Sequence, residues 1–143
     1  MTKKFEDIIS EQGKLVYTNV GDSMYPFIKK RDLLVIEKIN SPLKKYDVPL
    51  YKRDTGQYVL HRIVKIKNGE YYICGDNRAY LERGIEDRHI IGLLTEIVRD
   101  GKTISVYSSR YRFYKLFLPF RRFIISIRFL FRRAIDKIKR KLK

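Results

Sequence analysis

Residues 48–74 of this chain read VPLYKRDTGQYVLHRIVKIKNGEYYIC, and this stretch decides the fold class. Two turn signals, Asp54-Thr55-Gly56 and Asn68-Gly69, divide it into three predicted strands rich in apolar and β-forming residues, at residues 48–53, 57–66 and 70–74. These turn residues suit hairpins because they tolerate a positive φ. A third signal, Asp100-Gly101, separates residues 90–98 from residues 102–107. Short strands joined in this way predict a mostly antiparallel sheet, closed or folded on itself.

The remaining elements of the first hundred residues are one helix and two strands. Residues 5–11 predict a short helix with Phe5, Ile8 and Ile9 on one face. Residues 15–20 and 33–39 are apolar enough to predict strands. A chain of 143 residues is long enough to form one domain with a substantial core.

The positive charge of the chain is concentrated at its C-terminal end. Of the formal net charge of +16, residues 108–143 supply thirteen Lys or Arg and one acid, which makes +12 and leaves +4 for residues 1–107. This difference predicts a body of residues 1–107 followed by a basic tail of residues 108–143. A basic tail indicates an anionic membrane, an acidic partner or RNA.

The tail has the pattern of an amphipathic, cationic helix that begins at Pro119, because proline suits the first helical position. Apolar residues then recur at spacings of three and four. They are Phe120, Ile124, Ile127, Phe131, Ile135, Ile138 and Leu142. Such a stripe can lie in an anionic membrane surface or pack on the sheet, and both alternatives stay open. RNA is the weaker alternative because the tail contains no recognised RNA-binding motif.

Cysteine, histidine and hydropathy patterns exclude several classes. A single cysteine rules out an internal disulfide, and two histidines do not favour a metal site, so no metal or cofactor is expected. Acidic residues interrupt residues 5–11, where a signal peptide would be apolar. No run approaches the roughly 18 apolar residues of a membrane span. We therefore expect a cytoplasmic protein that can associate peripherally with a membrane.

Two short segments carry residues that can act together in catalysis. GDSMYP (residues 21–26) places Ser23 at a turn, and YVLHRIV (residues 58–64) places His61 in an apolar, strand-like run. A serine hydroxyl becomes a good nucleophile when a base takes its proton, and a desolvated, neutral histidine is such a base. The alternative is a turn serine and a packed histidine without catalytic roles. The pair predicts a serine hydrolase.

The same segments resemble the sequence boxes of the signal peptidase I and LexA-like serine peptidase superfamily. GDSMYP resembles its G-x-S-M-x-P nucleophile box, and LHRI (residues 60–63) resembles the second box in its histidine-type form. GDN (residues 75–77) resembles the third box. YDV (residues 46–48) resembles a short G-D-[IV] box, with Tyr46 in place of glycine. The order and separations fit over roughly residues 15–98.

This resemblance implies a catalytic β-fold in residues 1–107 with Ser23 as nucleophile and His61 as general base. An acid that orients the histidine is implied as well. Asp76 lies within the third box, Glu82 has the best offset from it, and Asp87 is a third alternative. Surface roles are favoured for Asp87 and His89. Gly21 occupies a position where many signal peptidases carry a serine that assists the oxyanion. The implied chemistry is acyl transfer through a serine ester.

The function implied is that of a serine endopeptidase without an N-terminal membrane anchor, which removes a leader or signal-like segment from a peptide or protein precursor. DNA is not an expected partner, because no helix-turn-helix fits before Ser23. The alternative is a catalytically degenerate, peptide-binding protein, or a membrane- or RNA-binding adaptor whose basic tail carries the function.

Overall fold

The structure, a computed structural model, describes residues 3–141. Its elements in this range are α1 (Phe5–Gln12), β1 (Lys14–Thr18), β2 (Leu33–Glu37), β3 (Pro49–Lys52), β4 (Tyr58–Leu60), β5 (Arg62–Lys67), β6 (Glu70–Cys74), β7 (Glu82–Ile85), β8 (Ile90–Arg99), β9 (Lys102–Ser105) and α2 (Ser109–Lys141). A short 3-10 turn, Asp87–His89, precedes β8. The fold is mostly antiparallel β with a C-terminal helix, which confirms the predicted class.

All three predicted hairpins are present. Residues 54–56 join β3 to β4, residues 68–69 join β5 to β6, and residues 100–101 join β8 to β9, each pair being antiparallel. Asn68 and Gly69 have φ values of 52° and 76°, and Asp100 and Gly101 have 51° and 72°. Positive φ at both central residues is the geometry that two-residue hairpin turns require.

The strands form two sheets, and the chain crosses between them at His61. One sheet has the order β1-β2-β8-β3-β4 with β9 paired to β8, and the other has the order β5-β6-β7. The single strand expected over residues 57–66 is therefore wrong. Its apolar pattern continues across His61, but β4 pairs with β3 whereas β5 pairs with β6.

Two clusters of buried side chains lie against these sheets. The first joins the larger sheet to α1, to the loop after β1 and to the start of α2: Ile9, Leu15, Met24, Ile28, Leu34, Ile36, Val48, Leu50, Leu94, Ile97, Val106 and Tyr111. The second lies against the smaller sheet: Leu43, Tyr51, Ile63, Tyr71, Ile73 and Ile85. His61 lies between β4, the last strand of the larger sheet, and β5, the first strand of the smaller sheet.

Helix α2 begins earlier than predicted. It begins at Ser109 and contains Pro119 in its interior, so the expectation that Pro119 starts the helix is wrong. Tyr111 and Leu118 are only 4% and 2% exposed, and this packing stabilises a helix start that proline alone would not indicate. Leu142 of the predicted stripe lies outside the described residues. Within residues 3–141, the structure has no helix both long enough and apolar enough to cross a membrane.

We predict that the start of α2 contributes to the stability of the body. Leu118→Ala removes a side chain that is 2% exposed, and we expect the free energy of unfolding to fall by about 2–5 kcal/mol. Leu116→Ala is the matched control, because Leu116 is 73% exposed and its loss should change stability by less than about 0.5 kcal/mol. Urea unfolding followed by circular dichroism measures both, and equal effects of the two substitutions would contradict the docking of α2.

Candidate active site

The Ser23 turn lies in the loop between β1 and β2, and buried side chains on its C-terminal side hold it in place. Met24 and Ile28 are 4% and 1% exposed, whereas Ser23 is half-buried. The N–H of Tyr25 donates to the carbonyl of Asp22 at 3.1 Å, and the N–H of Ile28 donates to the carbonyl of Met24 at 3.0 Å. The loop therefore presents Ser23 near the surface on an anchored backbone.

Residues that follow β6 fasten this turn from the other side. The backbone N–H of Asn77 donates to the carbonyl of Ser23 at 2.8 Å, and its side-chain amide donates to the carbonyl of Asp22 at 3.2 Å. Arg78 forms an ion pair of 2.5 Å with Asp22, but both side chains are exposed, so its contribution is small. Asn77, which belongs to the GDN segment (residues 75–77), thus contacts the turn of the GDSMYP segment (residues 21–26).

Gly75 marks the point at which Ser23 and His61 come together. A Cβ at this position would lie 2.7 Å from the carbonyl oxygen of Ser23 and 3.2 Å from Nε2 of His61. The first distance is shorter than a real Cβ contact allows, so glycine lets the Ser23 backbone approach this closely. The fold therefore brings the backbone of the predicted nucleophile and the ring of the predicted base to one place.

His61 occupies the crossover between β4 and β5 and is half-buried. Burial lowers the pKa of His61 to about 4, and the attraction of Glu82 opposes this effect only in part. The imidazole is therefore neutral at pH 7, which is the form that can accept a proton. Within residues 3–141 no hydrogen bond joins the Ser23 hydroxyl to His61, a bond that in unliganded sites often forms fully only in the substrate complex.

Asp76 makes a buried ion pair with Arg62. Arg62 Nε donates to one carboxylate oxygen at 2.7 Å and Nη2 donates to the other at 2.6 Å. The hydroxyl of Tyr114 in α2 donates to the same carboxylate at 2.9 Å. Both oxygens of Asp76 are thus occupied by groups other than His61, and Asp76 acts on His61 only by through-space attraction.

Aromatic rings from the Ser23 loop and from α2 surround the guanidinium of Arg62. Its Cζ lies 5.1, 5.3 and 5.7 Å from the ring centres of Phe27, Tyr111 and Tyr114. Its Nη1 donates to the hydroxyl of Tyr111 and, at 2.9 Å, to the carbonyl of Tyr46. Four of the five N–H groups of Arg62 thus have acceptors, and the pair is shielded from water, which helps a buried ion pair to be stable.

The backbone conformation of Tyr46 is one that suits the glycine found at this position in the short G-D-[IV] box. Its φ is 76°, a left-handed conformation that glycine adopts without strain and tyrosine rarely adopts. The backbone N–H of Tyr46 donates to the carbonyl of Ile63 at 2.7 Å, and its carbonyl accepts the bond from Arg62. The segment therefore fixes the start of β5, next to His61.

The other two candidate acids lie in different environments. Glu82, at the start of β7, accepts hydrogen bonds from the Tyr51 hydroxyl at 2.7 Å and from Arg53 at 2.7 and 2.6 Å. Partial burial opposes ionisation of Glu82, but these bonds outweigh it and lower the pKa of the carboxyl group. Glu82 is therefore a carboxylate paired with Arg53, and its charge favours the protonated form of His61 while the charge of Arg53 opposes it. Asp87 accepts a hydrogen bond from the hydroxyl of Tyr71.

Sequence reasoning missed the residues that support the site from α2, together with the role of Arg62. An arginine inside an apolar run signals a buried charge that needs an acid, and this signal was present at residues 59–64. A surface role was expected for His89, but it is 5% exposed and its Nδ1 accepts a bond from the N–H of Glu86 at 2.9 Å. That expectation is wrong.

Within residues 3–141, no group of three or more His, Cys, Asp or Glu side chains is arranged to hold a metal ion. The chemistry available at the site is that of the hydroxyl, the imidazole and the surrounding backbone. An antiparallel β-fold that brings a turn serine to a neutral histidine is suited to nucleophilic hydrolysis of the serine-peptidase type.

Comparison with known families agrees with this class. A family model described as Peptidase S24-like matches residues 3–95, which is more than half of the chain. The chain belongs to the Peptidase S24-like family. The comparison with curated proteins gave no match. Family membership therefore supports serine peptidase-type activity in general.

We predict that a side chain at position 75 disrupts the site. In Gly75→Ala the new Cβ meets the Ser23 carbonyl at 2.7 Å, so the turn must move. We expect a stability loss of about 1–3 kcal/mol and a fall in peptidase activity of about 10²-fold. Gly21→Ala is the control, because its Cβ would meet only Asn19 Oδ1, at 3.9 Å. Normal activity in Gly75→Ala would show that Ser23 and His61 do not depend on this contact.

Proposed function

We propose that the chain is a serine endopeptidase that removes a leader or signal-like segment from a peptide or protein precursor, with Ser23 as nucleophile and His61 as general base. The observation that carries this proposal is that the backbone carbonyl of Ser23 and Nε2 of His61 both lie next to the position a Cβ of residue 75 would take. Membership of the Peptidase S24-like family supports it independently. The histidine-type second box, LHRI (residues 60–63), is the basis for assigning the base.

In the proposed mechanism, His61 accepts the proton of the Ser23 hydroxyl as the oxygen attacks the scissile carbonyl carbon. The tetrahedral oxyanion accepts a hydrogen bond from the backbone N–H of Ser23, which has no other acceptor within residues 3–141. His61 then donates its proton to the leaving amine, and the acyl-enzyme forms. A water molecule, activated by His61, hydrolyses the ester and restores the site.

The carboxylates have separate roles in this proposal. Glu82 is ionised, and it has the largest electrostatic influence among the groups that favour the charged form of His61. We assign to it the stabilisation of the imidazolium formed during attack. Asp76 is a positioning residue: it binds Arg62, the residue next to His61, and lies between Gly75 and Asn77.

Peptide cleavage tests this proposal directly. The purified parent chain should cut at least one member of a library of leader-like peptides at a defined bond, read by mass spectrometry. Ser23→Ala and His61→Ala should each lower kcat/KM by about 10³-fold or more. Ser10→Ala is the matched control, since Ser10 is exposed on α1 and should leave the rate unchanged. Cleavage that persists in Ser23→Ala, or no cleavage by the parent, would contradict the assignment.

The pH dependence of cleavage tests the role of His61. A base must be unprotonated, so kcat/KM should rise with pH, with a midpoint near the His61 pKa of about 4 rather than near 6.5. Glu82→Gln removes a charge that raises this pKa, so the midpoint should move to lower pH. Asp87→Asn should leave the midpoint unchanged, because Asp87 bonds to Tyr71 instead. A midpoint that rises in Glu82→Gln would refute the assigned role of Glu82.

A further inference from the structure

Helix α2 has two faces that meet different surroundings. Tyr111 and Leu118, seven residues apart, are buried against the body. Phe113 comes two residues after Tyr111, which at 3.6 residues per turn places it roughly 160° around the helix axis. Phe113 is 65% exposed. In the first half of α2 one face is therefore docked on the fold and the opposite face points away from it, whereas residues 128–141 are exposed on all sides.

The face opposite the body is apolar along most of the helix. Its side chains are between 49% and 73% exposed: Phe113, Leu116, Phe117, Phe120, Phe123, Leu130, Phe131, Ile135 and Ile138. We call this set the outer stripe. From residue 113 to residue 138 it spans about 38 Å at 1.5 Å per residue. Ile124 and Ile127 lie on the same side between Phe123 and Leu130 but are half-buried. An exposed apolar surface of this extent marks an interaction site.

The charge beside the outer stripe identifies the partner. Residues 109–141 contain twelve Lys or Arg and one acid, a net charge of +11. At 3.6 residues per turn, Arg128 and Arg132 border the stripe on one side, and Lys137 and Lys141 border it on the other. Long cationic side chains in these positions can reach phosphate headgroups while the apolar face enters the acyl region.

We propose that α2 binds an anionic lipid surface through the outer stripe. A second copy of the chain does not fit, because each helix would bring a net charge of +11 to the interface. RNA matches the charge but offers no apolar surface for the phenylalanine and isoleucine side chains of the stripe. An anionic bilayer satisfies both features at once.

This binding mode also sets the location of the candidate active site. The side chain of Arg121 in α2 donates to the carbonyl of Tyr25 at 3.3 Å, two residues from Ser23. A lipid-bound α2 therefore holds the Ser23 turn close to the headgroups, about one helix diameter away. The substrate class that follows is a precursor peptide held at an anionic membrane surface, and this step rests on the proposed peptidase function.

Vesicle flotation tests lipid binding without using catalysis. Full-length Ser23→Ala protein is mixed with vesicles of phosphatidylcholine alone or of phosphatidylglycerol and phosphatidylcholine in equal parts. We expect flotation only with phosphatidylglycerol, weakened by high salt because the charges are screened. No flotation, or equal flotation with both lipids, overturns the proposal. Binding of a homopolymeric RNA at protein concentrations that leave vesicles unbound overturns it as well.

Two phenylalanines provide matched variants. Phe131 lies in the outer stripe and is 65% exposed, whereas Phe129 is 48% exposed on the opposite side of the helix. Phe131→Gln should lower the vesicle partition coefficient by roughly tenfold or more, since it removes a side chain buried in lipid. Phe129→Gln should lower it less than about twofold. Equal losses in the two variants would show that the stripe is not the binding face.

The substrate class is tested with wild-type protein and one cleavable peptide in two forms, free and lipid-anchored. Phosphatidylglycerol vesicles should raise kcat/KM for the anchored form and leave the free form unchanged. Cleavage of the free peptide without this gain would overturn the membrane substrate class and leave the proposed peptidase function intact. Absence of all cleavage, together with flotation, would overturn the proposed peptidase function and the substrate class that rests on it, and would leave lipid binding by α2 intact.

Discussion

The arrangement of the candidate site depends on one buried ion pair, Arg62 with Asp76. Their side chains are 1% and 3% exposed, and removing such charges from water costs several kcal/mol for each ion. Two parallel hydrogen bonds of 2.7 and 2.6 Å, a third from Tyr114 and the bond from Arg62 to the Tyr46 carbonyl offset that cost. Every group around the pair must therefore keep its position, because an unpaired charge here would be strongly destabilising.

The pair fixes the candidate base and the residues that hold the Ser23 turn, because they are its neighbours in the chain. His61 immediately precedes Arg62, while Gly75 and Asn77 flank Asp76. Gly75 leaves no room for a side chain beside the Ser23 carbonyl and His61, and the N–H of Asn77 donates to the Ser23 carbonyl. A shift of Arg62 would move His61 by a similar amount, and a shift of Asp76 would move Asn77 and its hydrogen bond to the Ser23 turn. The charge pair thus supports geometry, and the neutrality of His61 comes from burial instead.

Local features of this fold could be predicted from sequence, and long-range ones could not. Asn68-Gly69 determines its hairpin because the φ preference is a property of the two residues themselves. The break at His61 was missed because the apolar pattern runs on through it, and only strand pairing separates β4 from β5. β7 was missed because its sequence, ERGI, has no strand-like alternation and depends on pairing with β6.

The site follows the same rule. Four short boxes could predict which segments lie close together, and the structure places the Ser23 backbone and the His61 ring beside one glycine, but the partners of each acid depend on tertiary structure. Asp76 was one of several acids that could face His61, and its burial with Arg62 follows from the ends of β5 and β6 lying side by side. The choice between Asp76, Glu82 and Asp87 as the acid that supports His61 therefore remained open at the level of sequence. The start of α2 was missed because tertiary packing outweighs the preference of Pro119 for a first turn.

Helix α2 serves the site and exposes the outer stripe at the same time, and the energetics indicate that these roles are compatible. Undocking the helix would expose Tyr111 and Leu118, at about 1.5–3 kcal/mol each, and break the Tyr114 bond to Asp76 at about 1 kcal/mol. The outer stripe is already exposed while the helix is docked. Lipid binding through that stripe therefore requires no undocking, and Tyr111 and Tyr114 stay packed around the guanidinium of Arg62. The side chains that would bind lipid and those that complete the site lie on opposite sides of one helix, so substitutions can affect either set alone.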